Sequence, residues 1–174
     1  MIDWDLIISR DGHVVWRTAW RILANHADTD EVFQEAFLAA LEYTKRSTVQ
    51  NWPALLTRLA TARAVDRLRH RQRRCDRFDH ADVHTVPSAS PQPFEMAEAS
   101  ELSERLREAL ATLPSRQAEV FCLHCLDGWS YQQIASHMEM SADNVGVQLH
   151  RARARLRELL AERQAKVEHL RGAS

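Results

Sequence analysis

The sequence predicts an all-α fold, two small helical modules joined by a Pro-containing linker, and three observations carry that prediction. Apolar residues recur at three- and four-residue steps in one run after another. The alternation that a half-buried strand requires is nowhere sustained, and glycine occurs only four times in 174 residues. Between two such helical stretches, the segment 77–100 places Pro87, Pro91 and Pro93 among small polar residues with no apolar period. About 20 residues of a Pro-rich linker, at roughly 3.3 Å each, reach about 65 Å.

The amino-terminal module, residues 1–76, shows three helical stripes. Val15, Trp16, Ala19, Trp20 and Leu23 form the first; Val32, Phe33, Ala36, Phe37, Ala40 and Leu41 the second; Leu55, Leu59, Ala62, Val65 and Leu68 the third. Asp28 and Asp30 precede the second stripe, where acids favour the positive end of a helix, and Pro53 stands where a first turn tolerates it.

The carboxyl-terminal module, residues 101–165, opens with Leu102, Leu106, Leu110 and Leu113 and is reset by Pro114-Ser115. A helix through Val120, Phe121 and Cys125 follows and stops at Asp127-Gly128. Ser130 with Gln133 then makes a capping-box start for a short helix with Ile134, Ala135 and Met138 on its apolar face. After a three-residue turn, Ser141 caps a second helix whose core side is Val145, Leu149, Ala152, Leu156 and Leu159. Arg151, Arg153, Arg155 and Arg157 spread around its remaining circumference, the layout of a DNA-reading helix-turn-helix. Glu139 occupies the turn position where such motifs commonly carry glycine, and a left-handed backbone there would cost about 1 kcal/mol. Residues 166–174 are read as a tail.

Charge is segregated although the net charge is only -1. Seven arginines stand between Arg58 and Arg74 against Asp66 alone, whereas Asp28 to Glu42 holds five acids and no base. One face therefore invites a polyanion and another a basic protein. The start, MIDWDLIISRDG, has acids where a secretory signal has bases, and no apolar run approaches a membrane span, so a cytoplasmic protein without membrane insertion is expected. Three cysteines fit a reducing compartment rather than a disulfide framework. Cys122 and Cys125 have a redox or metal spacing, but they form a single pair inside a predicted helix, and His124 projects to another face. Buried thiols, no metal, no cofactor and no catalytic constellation are expected.

Taken together, these segments resemble the extracytoplasmic-function (ECF) sigma factors of bacterial RNA polymerase over nearly the whole chain. Asp28-Thr29-Asp30-Glu31-Val32-Phe33-Gln34-Glu35-Ala36-Phe37 resembles the acidic D-x-E-D-x-x-Q-D/E-x-F segment of region 2. The resemblance implies that Asp28, Asp30, Glu31, Gln34 and Glu35 meet core RNA polymerase; the same pattern also describes an ordinary solvated helix face. Trp52-Pro53-Ala54-Leu55-Leu56 and Ala64-Val65-Asp66-Arg67-Leu68-Arg69-His70-Arg71 resemble the stretch that recognises and opens the minus-ten element. It implies DNA contact by Trp52, Arg63, Arg67, Arg69, Arg71 and Arg74, although a tryptophan beside a helix start also packs into cores. Thr61 and Ala62 stand where the family usually has Arg-Asn.

Ala111 to Phe121, Ser130 to Ala135 and His150 to Arg157 resemble region 4, whose last helix reads the minus-thirty-five element; Ala118 replaces the usual arginine of the first motif. Ser141, Asn144, Val147, Gln148, Arg151 and Arg153 are the implied DNA contacts. Asn144, Gly146 and Gln148 stand where Thr, Lys and Arg are usual, and amides favour adenine edges over the guanine edges arginine prefers. Promoter DNA, core polymerase and an anti-sigma factor are the implied partners. The alternative is a polymerase-independent helix-turn-helix regulator, which needs only the last motif and leaves the acidic helix and the arginine run without a role.

Overall fold

Asp3 starts the first helix, its carboxylate accepting the Leu6 amide at 3.0 Å. The computed structural model of the chain describes residues 2–78 and 94–172, the side chains of 76–78, 94–100 and 163–172 excepted. Helix α1 (Trp4–Leu23) begins three turns before the stripe that starts at Val15. Asp11 and Gly12 break the apolar pattern there, yet both are buried: Asp11 pairs with Arg10 at 2.7 Å, and Gly12 lies so close to Phe33 that a Cβ would stand 3.3 Å from the ring. Helix α2 (His26–Thr44) is capped by Asn25, which accepts the Asp28 amide at 2.9 Å, so Asp28 lies inside the first turn and Asp30 further along the helix rather than before it. Helix α3 (Trp52–Phe78) is started by Asn51, which accepts the Ala54 amide at 3.1 Å, with Pro53 in its first turn.

Four helices follow, α4 (Phe94–Thr112), α5 (Ser115–Cys125), α6 (Tyr131–Met138) and α7 (Ala142–Gly172). Helices α3 and α4 both reach into the segment 77–100, leaving 79–93 outside the described residues. The sequence explains the reach of α4, because Phe-Glu-Met-Ala-Glu-Ala directly after Pro93 is rich in helix formers. Helix α7 likewise continues past residue 165, since nothing between Leu160 and Arg171 breaks it.

The core sits between the two halves of the chain. Ile22, Leu23, Val32, Val65 and Leu68 from α1 to α3 share one buried cluster with Leu110, Leu113, Ala118, Cys122 and Leu156 from the later helices. Burying each large side chain of this kind contributes about 1.5–3 kcal/mol. Polar ties cross the same boundary: Thr18 donates to Asp127 at 3.2 Å, Arg21 donates to the Leu126 carbonyl at 2.9 Å, Arg71 donates to Glu104 at 3.2 Å, and Arg69 donates to the Ser115 hydroxyl. Two further clusters are local to each half. Ile7, Val15, Ala36, Ala40, Leu56 and Ala60 tie α1 to α2 and α3, and Val120, Leu123, Ile134, Val145 and Leu149 hold α5, α6 and α7 together.

Candidate protein- and nucleic-acid-binding faces

Helix α2 buries Val32, Ala36 and Ala40 and turns its acids outward. Two of the candidates are already engaged from within: Glu31 and Glu35 both receive the Arg67 guanidinium of α3, at 2.5 and 2.9 Å. Asp30 accepts the Trp16 indole N–H at 3.3 Å. Gln34 is exposed, and Asp28 is half-buried at the positive end of the helix. The face is acidic as expected, but Arg67 is built into it.

The arginines of α3 do not form one surface. Arg67 belongs to the α2 acids, and with Arg63 it lines a groove of about 750 Å³ between α2 and α3 that Glu35, Leu38 and His70 also border. Arg69 and Arg71 point to α5 and α4, where Ser115 and Glu104 receive them. Arg58 turns inward over the Tyr43 ring, 6.0 Å from its centroid. Arg63 and Arg74 are exposed and, among the described residues, carry no ion pair. A run that the sequence suggests for phosphates is thus divided among α2, α4, α5 and solvent. Trp52 is half-buried against the amino-terminal core, edge-on to Trp4 at 5.5 Å. Thr61 is fully buried.

The helix-turn-helix is formed as its sequence signals require. Ser130 accepts the Gln133 amide at 3.2 Å while the Gln133 side chain accepts the Ser130 amide at 2.9 Å. Helix α6 ends at Glu139, whose backbone is left-handed (φ 53°, ψ 51°). The Ser141 hydroxyl accepts the Asn144 amide at 3.2 Å and starts α7. Gln148 donates to the Asn144 side-chain oxygen at 3.1 Å, so the two candidate base-reading amides are coupled across one helical turn. Val147 is 45% exposed and Arg151 is exposed, whereas Arg153 donates to the Cys125 sulfur at 3.7 Å. Tyr131 and His150, which the sequence places in the region 4 motifs without a contact role, and Asp143 border the same face.

Cys122 is buried and Cys125 exposed, so the pair does not converge; burial pushes the Cys122 thiol up, away from the reactive thiolate. His124 Nδ1 lies 2.8 Å from the Trp129 carbonyl. Among the described residues no group of three His, Cys, Asp or Glu side chains is placed to hold a metal ion, and no helix is long and apolar enough to cross a membrane.

Residues 7–74 match the family model of Sigma-70 region 2, and residues 103–156 match that of Sigma-70 region 4. Across 150 residues the chain is 31% identical to the RNA polymerase sigma factor CarQ of Myxococcus xanthus, covering 84% of this chain and 83% of that one. The chain belongs to the ECF sigma factors of RNA polymerase. The ECF sigma factor SigE of Mycolicibacterium smegmatis is 27% identical over 162 residues, 93% of this chain, although the chain spans only 63% of SigE's length. SigL of Mycobacterium tuberculosis is 29% identical over 153 residues, covering 86% of this chain and 84% of SigL. Two solved structures share the sigma fold. They are RpoE in complex with the anti-sigma factor NepR from Bartonella quintana (TM-score 0.54, 19% identity, 91% of this chain and 97% of that one) and CnrH in complex with the cytosolic domain of CnrY (TM-score 0.54, 21% identity, 91% and 87%).

Proposed function

We propose that this sigma factor binds core RNA polymerase in the cytoplasm and directs initiation at promoters with two separated elements. The chain supplies recognition, and the polymerase makes the RNA. What supports the reading best is the pairing, in one chain, of an acidic α2 face with a formed helix-turn-helix on α6 and α7. In it, Asp28, Asp30, Glu31, Gln34 and Glu35 face core polymerase. Arg63 and Arg74, joined by Arg69 and Arg71 once they leave α4 and α5, meet the downstream element, with Arg67 and Trp52 acting mainly as supports of that module. Ser141, Asn144, Val147, Gln148, Arg151 and Arg153 meet the upstream element, and residues 1–76 and 101–165 are the two recognition modules.

An anti-sigma protein is part of the reading, since RpoE, a solved structure with this fold, was captured with one. Run-off transcription with purified chain and core polymerase tests the whole. Promoter-dependent transcripts that require the chain are expected. Tight duplex binding by the chain alone, with no capture of core, would instead identify a polymerase-independent regulator.

A further inference from the structure

Gly146 lies in the interior of α7, where a glycine weakens a helix and neither backbone nor sterics calls for one. Its φ is not in the left-handed region, and a Cβ there would meet Tyr131 Cε2 at 3.5 Å, an ordinary contact. What the glycine leaves is space. A groove of about 480 Å³ opens between the start of α6 and α7, lined by Tyr131 and Gln132 on one side and by Ala142, Asp143, Gly146 and Val147 on the other. Tyr131 is 39% exposed and Val147 45%, two apolar side chains facing outward on the surface that also carries His150 and Arg151. Asp143 at the rim repels phosphate, which turns the groove toward base edges rather than the DNA backbone.

An apolar slot beside Arg151, on a helix proposed to enter the major groove, meets one apolar feature there, the thymine 5-methyl group. We propose that the slot between Tyr131 and the Gly146–Val147 edge of α7 seats the methyl of one thymine in the upstream promoter element. The proposal rests on the promoter-reading role of the helix-turn-helix and deepens it: the amides Asn144 and Gln148 read by hydrogen bonds, while the slot reads by shape. An alanine at 146 would place its own methyl where the base's methyl belongs.

The test uses holoenzyme reconstituted from the full chain and core polymerase. An upstream element is selected from randomised duplexes, and each selected thymine is then replaced singly by deoxyuridine, which differs only in lacking the methyl. At one position, uracil is expected to weaken holoenzyme binding about 4-fold, the worth of one buried methylene-sized group. Gly146→Ala, which favours the helix, is expected to assemble with core normally and to bind the thymine and uracil duplexes alike. Selection of an upstream element with no thymine–uracil difference at any position overturns the methyl seat and leaves the promoter-reading role intact. Discrimination that survives in Gly146→Ala also overturns the seat. Loss of core capture by Val147→Asp, without any thymine–uracil difference, assigns the slot to a protein partner instead. Failure to select any upstream element overturns the promoter-reading role, and the seat with it.

Discussion

Arg67 of α3 donates to the Glu35 carboxylate of α2 at 2.9 Å, joining a helix proposed to face DNA to one proposed to face polymerase. Glu31 shares the same guanidinium at 2.5 Å. Both acids are substantially exposed, so solvent screens the network and its worth is small. Arg67→Ala is expected to lower stability by less than about 1 kcal/mol, and to have no effect in a Glu31→Gln, Glu35→Gln background. The same change releases two carboxylates on the α2 face, so core binding measured at low salt should tighten by about 0.5 kcal/mol rather than weaken.

Asp127 ties α1 to the turn after α5, and burial raises its carboxyl above the ordinary aspartate value despite donors from Thr18 and Arg21. Glu119 on α5 is raised too, by burial and then by Asp66. A folded form that holds these protons more tightly than the unfolded chain gains their full contribution below the ordinary carboxylate pKa, and loses it as pH rises through the raised values. His137, depressed by burial, acts in the opposite sense. The readout is therefore the difference between parent and an Asp127→Asn, Glu119→Gln double variant in urea titrations. Relative to the variant, the parent should gain stability on mild acidification from neutral pH; a flat difference would remove both groups from the account.

Among the described residues, two non-glycine residues hold left-handed caps, Ala24 (φ 47°) after α1 and Glu139 (φ 53°) after α6. Glycine relieves the Cβ clash at each, so Ala24→Gly and Glu139→Gly should each raise stability by about 0.5–1 kcal/mol in denaturant unfolding. The reverse sign at Glu139 would mean that its side chain contributes more than its backbone costs.

Gln148 donates to Asn144 at 3.1 Å, which makes the two amides one unit. Gln148→Ala is expected to relax preference at its own base position by about 1–3 kcal/mol and also to loosen the position read by Asn144. Site selection with both single variants and the double variant measures this. Additive losses would show that each amide reads alone.

The helices were legible wherever a feature depends on near neighbours in sequence. The capping box at Ser130 and Gln133 and the Ser141 cap both lie within a few residues of what they bond. The first turns of α1 were hidden because Asp11 and Gly12 look like a break, and only the approach of Phe33 from α2 shows why a small residue fits there. The destinations of Arg67, Arg69 and Arg71 were illegible for the same reason. Their partners Glu31, Glu35, Ser115 and Glu104 are 32 to 46 residues away, and periodicity shows that a face is exposed without showing what lies opposite. Trp52 needed Trp4 in the same way, from across α1. The slot beside Gly146 had a signal in plain view, a glycine inside a helix, whose meaning depended on where Tyr131 stood.

The cluster that joins Ile22, Val65 and Leu68 to Leu110, Leu113 and Leu156 makes the two halves proposed to recognise promoter DNA thermodynamically epistatic. A substitution at Leu68 perturbs the packing beneath α5 and α7 as surely as one at Leu113 perturbs that beneath α1 and α3. The position of a mutation in the sequence therefore does not identify the promoter element whose recognition it disturbs. Selection on either half acts through a reservoir of stability that both halves share.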